Sequence, residues 1–187
     1  MKSRLTYLFI FWISLQISAA QSLIYSGSNG TATFFSQALL EDIEAKNSQV
    51  YGLLNTAKNS IEIKMFIDQF QFKNKLMQQH FNENFMDSKR YPQSVFKGMI
   101  YEKIDFTKPG VYYVNATGEF DLHGTERIRT LHGKLTVTST SITIETQFDV
   151  LLAEHNIEIP EIVFNKVAEK IRVNASLKLI PESLVTK

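Results

Sequence analysis

The sequence predicts an all-β protein: a closed antiparallel barrel of about eight strands with two short helices. Three observations carry that expectation. Apolar and polar residues alternate with a period of two in one segment after another between Thr31 and Ile180. The gaps between segments are short and rich in turn residues, as at Lys108-Pro109-Gly110, His123-Gly124 and Ser139-Thr140. One helical stretch near residue 80 is too short to hold itself together in water, so it must lie on a sheet. Closing that sheet removes its edges. An eight-stranded ring has a lumen that side chains either fill or leave open for one small ligand.

The 187 residues make one domain, with no Pro-, Gly- or Ser-rich linker and no internal repeat. Residues 1–20 read as a cleaved export signal, leaving 21–187 as the barrel domain. Lys2 and Arg4 precede an apolar run from Leu5 to Ile17, and Ser18-Ala19-Ala20 supplies a small-residue cleavage site. The run is short for a bilayer span. The chain has no cysteine, so an exported form must rely on packing and hydrogen bonds rather than disulfides. That suits the periplasm of a bacterium. The sequons at Asn29, Asn115 and Asn174 are read as chance matches. A formal net charge of +1, without a basic cluster, argues against nucleic acid as a partner.

In order, Thr31 to Ser36 reads as a short strand, and Leu39 to Lys46 as a helical turn or loop punctuated by Asn47-Ser48. Gln49 to Asn55 and Ser60 to Phe72 follow as strands around a turn at Thr56 to Asn59. In the second, Ile61, Ile63, Met65 and Ile67 share a face opposite Glu62, Lys64 and Asp68, while Phe70 and Phe72 fall on the other parity. A bulge or bend near Phe66 to Asp68 accounts for the switch. Leu76, Met77, His80, Phe81, Asn84 and Phe85 then line one side of a helix over Lys75 to Asp87, which Tyr91-Pro92 stops. Val95 to Ile104, Gly110 to Leu122, Thr125 to Val137 and Ser141 to Leu151 are the next strands. Pro160 and Glu161 open a second helix, with proline in its first turn and an acid facing the helix dipole. Ile171 to Ile180 closes the chain as a strand.

Several of these segments together resemble the YceI-like family. They are the run Leu76 to Gly98 with His80, Phe85, Tyr91-Pro92 and Phe96-Lys97-Gly98; Gly118-x-x-x-Leu122-His123-Gly124-Thr125; and Phe148-x-Val150-x-Leu152 ahead of Ile157-x-Ile159-Pro160. The resemblance spans roughly residues 27 to 180. It implies a lipocalin-like barrel in the bacterial periplasm whose interior takes a long apolar chain such as a polyisoprenoid. The chain departs from the family pattern at Thr125-Glu126-Arg127 and at Glu154, and family members need not share one ligand.

The chemistry of the residues points to binding rather than catalysis. There is no cysteine nucleophile, no Gly-x-Ser-x-Gly elbow and no phosphate loop. His80, His123, His132 and His155 show no metal-ligand spacing, so neither a metal nor a cofactor is expected. The pairs Glu62/Asp68 and Glu119/Asp121 read as solvated strand faces. His80 has two readings, a contact to a ligand head group or a core histidine bonded to backbone, and the second is the ordinary one. The abundant phenylalanines either fill a dry core or line a cavity, and the family resemblance favours the cavity. Its expected lining is Phe66, Phe70, Leu76, Met77, His80, Phe81, Phe85 and Phe96. The expected partner is an apolar, lipid-like ligand such as an isoprenoid chain, held by a soluble protein as monomer or homodimer. Charges at mid-strand (Glu62, Lys64, Arg127, Arg129, Arg172, Lys178) would not suit a lipid-facing band. A ligand-free interaction or stress protein with a packed interior is the alternative.

Overall fold

The computed structural model describes residues 24–37, 42–160 and 167–182. Among the described residues are nine strands: β1 (Ile24–Gln37), β2 (Asp42–Asn55), β3 (Ser60–Phe66), β4 (Gln71–Phe72), β5 (Gln93–Ile100), β6 (Gly110–Leu122), β7 (Thr125–Val137), β8 (Ile142–Leu151) and β9 (Lys170–Pro181). Eight of them form an antiparallel ring in the order β1-β9-β8-β7-β6-β5-β3-β2, and β1 pairs with β2 to close it. The two-residue β4 adds to the end of β2. The expected closed barrel is therefore found. Among the described residues one short α-helix, α1 (Lys75–His80), interrupts the strands. The second expected helix falls largely on 161–166, and the export signal on 1–20, both outside the described residues.

Local chemistry explains where the strands depart from expectation. β2 starts at Asp42, so Leu39 to Lys46 is not a helical turn over its described part. Asn47, read in sequence as punctuation, sits fully buried inside the strand. Its Oδ1 accepts from the Gln49 amide at 2.7 Å and its Nδ2 donates to the Phe66 carbonyl at 2.8 Å. The side chain thus satisfies the backbone where the β1–β2 register slips between Gly30 and Ala32. The break near Phe66 takes the form of a 3₁₀ turn at Ile67–Gln69, closed by the Phe70 amide on the Ile67 carbonyl at 3.2 Å. β5 ends at Ile100 rather than 104. Beyond it the Glu102 carboxylate accepts from the Asn115 backbone and side-chain amides at 2.8 and 2.7 Å, in place of a further strand residue.

The β6–β7 hairpin turns through His123 and Gly124, both at positive φ (54° and 67°), the geometry of a type I′ turn. Gly118 in β6 pairs with Gly98 in β5. A Cβ on Gly118 would fall onto the Lys97 carbonyl and the Gly98 Cα, so the two backbones approach more closely than any other residue permits.

Among the described residues, side chains fill the lumen at one end. Around the β2–β3 and β7–β8 turns, Leu54, Leu135, Ile142 and Leu179 are sealed from solvent, with Phe96, Phe106 and Phe120 in the same cluster. Two smaller clusters, around Val50 with Phe70 and around Ile67 with Met86, lie toward the helix.

The wall is laddered unevenly. β7 and β8 pair only from Gly133 with Thr146 to Val137 with Ile142, although β7 begins at Thr125 and β8 runs to Leu151. Side chains bridge the seam beyond. Thr146 Oγ1 donates to the His132 carbonyl at 2.7 Å, Arg129 Nη2 to the Asp149 carbonyl at 2.6 Å, and Arg127 Nε to the Glu154 carbonyl at 3.0 Å. A 3₁₀ turn at Leu152–His155 places the fully buried His155 with its Nδ1 3.1 Å from the Thr125 carbonyl and its ring edge-on to Phe120. Burial holds the His155 imidazole pKa below its ordinary value, helped by the nearby positive Arg129 and opposed by the Thr125 and Leu122 carbonyls.

Two predictions follow from this packing. Gly118→Ala forces β5 and β6 apart and costs about 1–3 kcal/mol in urea unfolding. Gly110→Ala, whose nearest neighbours would stand 3.5 Å away, stays within about 0.5 kcal/mol. Second, the unfolded chain protonates at His155 before the folded one does. Its contribution to stability is therefore complete above about pH 6.5 and falls as pH drops through that value toward the depressed folded pKa. Unfolding midpoints followed from pH 7.5 down to about pH 5 decline less steeply in His155→Asn, by up to about one proton's worth of slope.

Candidate functional site

Between the sealed end and α1 the described residues enclose a cavity of about 400 Å³. Its walls are inward residues of the strands, since alternate side chains point into a barrel. β1 contributes Phe34, β8 contributes Phe148 and Val150, and β9 contributes Ile171 and Val173, while Phe120 of β6 borders it next to the sealed core. The 3₁₀ turn at Ile67–Gln69 reverses the strand's phase, which is why Phe70 and Phe72 also face the cavity.

The helix forms the remaining side. Asn74 caps it, with Oδ1 accepting from the Leu76 and Met77 amides at 2.9 and 3.4 Å. After His80 the backbone widens into a π-helical turn at Phe81–Phe85, closed by the Met86 amide on the Phe81 carbonyl at 2.9 Å. The helical stretch thus reaches Phe85 rather than Asp87. Such turns recur at functional sites. α1 buries none of its residues. It is held chiefly through Phe81, whose ring meets those of Phe34, Phe70 and Phe72 at 5.4, 5.8 and 5.0 Å. Gln78 adds a tie, its Oε1 accepting from the Phe72 amide at 3.3 Å.

Of the residues expected to line a cavity, Phe70, Leu76, Met77, His80, Phe81 and Phe85 border it. Phe66 and Phe96 do not. Phe66 ends β3 on the outer face, edge-on to Tyr51 at 6.0 Å with the Lys64 ammonium 5.5 Å from its ring. Phe96 is sealed in the packed end. His80 is not a core histidine, because its side chain borders the cavity from an α1 whose residues are all at least partly exposed. It is exposed at the rim beside Leu76, itself 58% exposed. The β8 and β9 lining escaped the sequence reading, where alternation identified strands without saying at which height the lumen stays open.

Among the described residues four polar ones touch the cavity, and three have a side-chain partner elsewhere. Ser36 Oγ accepts from the Ala168 amide at 2.9 Å, Ser94 Oγ donates to the Asp121 carbonyl at 2.8 Å, and Asn74 caps the helix. His80 alone makes no hydrogen bond to a described residue. Met65, Met77 and Met86 add side chains that adapt to irregular shapes. Among the described residues no group of three or more His, Asp or Glu gathers as a metal site requires, and no helix is long and apolar enough to cross a membrane.

Solved structures of low sequence identity share this fold. A polyisoprenoid binding domain from Saccharophagus degradans, implicated in plant cell wall breakdown, matches with a TM-score of 0.73 at 11% identity, over 86% of this chain and 99% of that one. Burkholderia cenocepacia BcnA matches at 0.66 and 16%, covering 80% and 95%. The Campylobacter jejuni YCEI protein does so at 0.52 and 15%, covering 95% and 97%. No curated protein matches by sequence. The family model of the YceI-like domain matches residues 16–179, most of the chain, and the protein belongs to that family.

Proposed function

We propose that the protein is a binding protein, not an enzyme, and that it holds a long apolar chain, polyisoprenoid or otherwise lipid-like, in the cavity beneath α1. The observation that carries this reading is the lining. Twenty of the twenty-four described residues around the space are apolar, and Ser36 Oγ, Ser94 Oγ and Asn74 Oδ1 each already have a hydrogen-bond partner. What remains is a surface that gains roughly 0.8 kcal/mol for each methylene it takes out of water. The likeness in fold to a polyisoprenoid binding domain supports the same ligand class.

A volume of about 400 Å³ lies in the range of ~300–1,000 Å³ that holds one ligand of modest size. A long isoprenoid therefore extends past the rim at Leu76 and His80 or displaces the helix. The basic, apolar and small-residue order of residues 1–20 supports export to the periplasm as the setting in which such a chain is carried. No cofactor takes part in this reading.

Two measurements test it. Native mass spectrometry of gently purified protein shows a co-purified lipid or uptake of added farnesol. A bare mass with no uptake overturns the proposal in favour of an interaction barrel that binds nothing. Val173→Trp fills the space from the β9 wall, so it weakens farnesol binding at least about ten-fold while the melting temperature holds or rises, since apolar surface enters an existing void. The only natural tryptophan is Trp12, so without residues 1–20 the new indole reports its own burial by blue-shifted emission. Phe81→Ala removes the ring that ties the helix to Phe34, Phe70 and Phe72. Amide exchange over Leu76–Phe85 then rises and farnesol dissociates about ten-fold faster, the local opening that few buried contacts permit.

A further inference from the structure

Arg129 stands out among the inward positions of the barrel. On β7 it shares one face with Leu131, Gly133 and the buried Leu135, opposite the exposed Ile128, so its side chain points toward the lumen rather than solvent. Its guanidinium lies 5.9 Å from the rings of both Phe120 and Phe148, two residues of the cavity wall. Nη2 donates to the Asp149 carbonyl, but Nη1 is buried with no acceptor. No carboxylate of the described residues pairs with it. The Asp149 carboxylate is shared at 3.5 Å by Lys170 and by Arg172. His155, the titratable group that feels its charge, is a further base.

A buried N–H of a charged group left without an acceptor is costly, and native structures rarely retain one without a use. Resting on the reading of the cavity as a lipid site, we infer that Arg129 is a polar anchor behind its wall and that the ligand is an amphiphile with an anionic head, phosphate or carboxylate. The apolar tail lies toward α1. The head takes the free Nη1, forming the charge-assisted hydrogen bond for which guanidinium is suited. Access follows from the seam. Beyond Thr146, β8 has no ladder to β7, so the Phe148 side chain turns aside, and the strands part locally, without breaking sheet hydrogen bonds between them.

The test uses the chain from residue 21, with N-phenyl-1-naphthylamine as a neutral fluorescent reporter displaced by added amphiphiles. Farnesyl phosphate displaces it at least ten-fold more tightly than farnesol, or myristate than tetradecanol, and whichever pair shows the larger preference identifies the head. Inorganic phosphate alone displaces nothing. Arg129→Met abolishes the preference while farnesol binds as well as before, and Arg129→Lys retains part of it. Arg129→Met also loses the Nη2 bond to the Asp149 carbonyl, so its melting temperature falls by a few degrees. The unchanged farnesol binding together with the lost preference for the charged partner is the pair of readouts that a purely structural arginine would not give. Equal binding of charged and neutral partners, a preference that survives Arg129→Met, or reporter displacement by inorganic phosphate overturns the anchor and leaves the apolar cavity standing. Failure of the wild type to bind any of the amphiphiles overturns both.

Discussion

The apolar cluster around Leu54, Leu135, Ile142 and Leu179 is the interaction on which the rest of the barrel depends. A ring of eight strands has to be stabilised by what fills it, and this one concentrates its filling at the end where β2 meets β3 and β7 meets β8. The inward residues of β2, β6, β7, β8 and β9 interlock there with almost no exposed surface. Because that end supplies the packing, the other end is free to stay hollow. The close approach of Gly98 and Gly118, and the slipped register around Gly30, bring the wall to the curvature that closes it.

At the hollow end, local structure is arranged so that a short helix stands over empty space. A capping asparagine starts it, a widened turn finishes it, and a single phenyl ring ties it to three others on the wall. A helix that buries nothing of its own is held by a few contacts rather than by a core, so it opens at lower cost than any strand of the ring. Stability and access thus reside at opposite ends of one sheet.

Much of this was legible in the sequence. Period-two alternation and turn residues gave β6 and β7 at the bounds observed, and the parity switch at Phe66 located the 3₁₀ turn to within a residue. The helical spacing of Leu76, Met77, His80, Phe81 and Phe85 placed all five beside the cavity. What stayed hidden depends on three-dimensional height and on side chains acting as backbone. Phe66 and Phe96 look like their neighbours in pattern, yet one faces outward and the other lies below the floor, because periodicity reports a face and not a level. Asn47 has the composition of a turn and the place of a strand residue, since its amide repairs a bulge that only the folded ladder contains. His155 lies in no periodic segment, and its burial follows from a turn that β7 receives from a distant part of the chain.

The short β7–β8 ladder has a consequence for how the molecule behaves in company. Ring closure ordinarily leaves a sheet no free margin, yet here Thr125–His132 and Gln147–Leu151 are two lengths of strand without a mutual partner. Margins of that kind invite a foreign strand to add itself. The carbonyls of Thr125, His132 and Asp149 are already taken by His155, Thr146 and Arg129. The same side chains that mend the wall therefore also guard it against self-association.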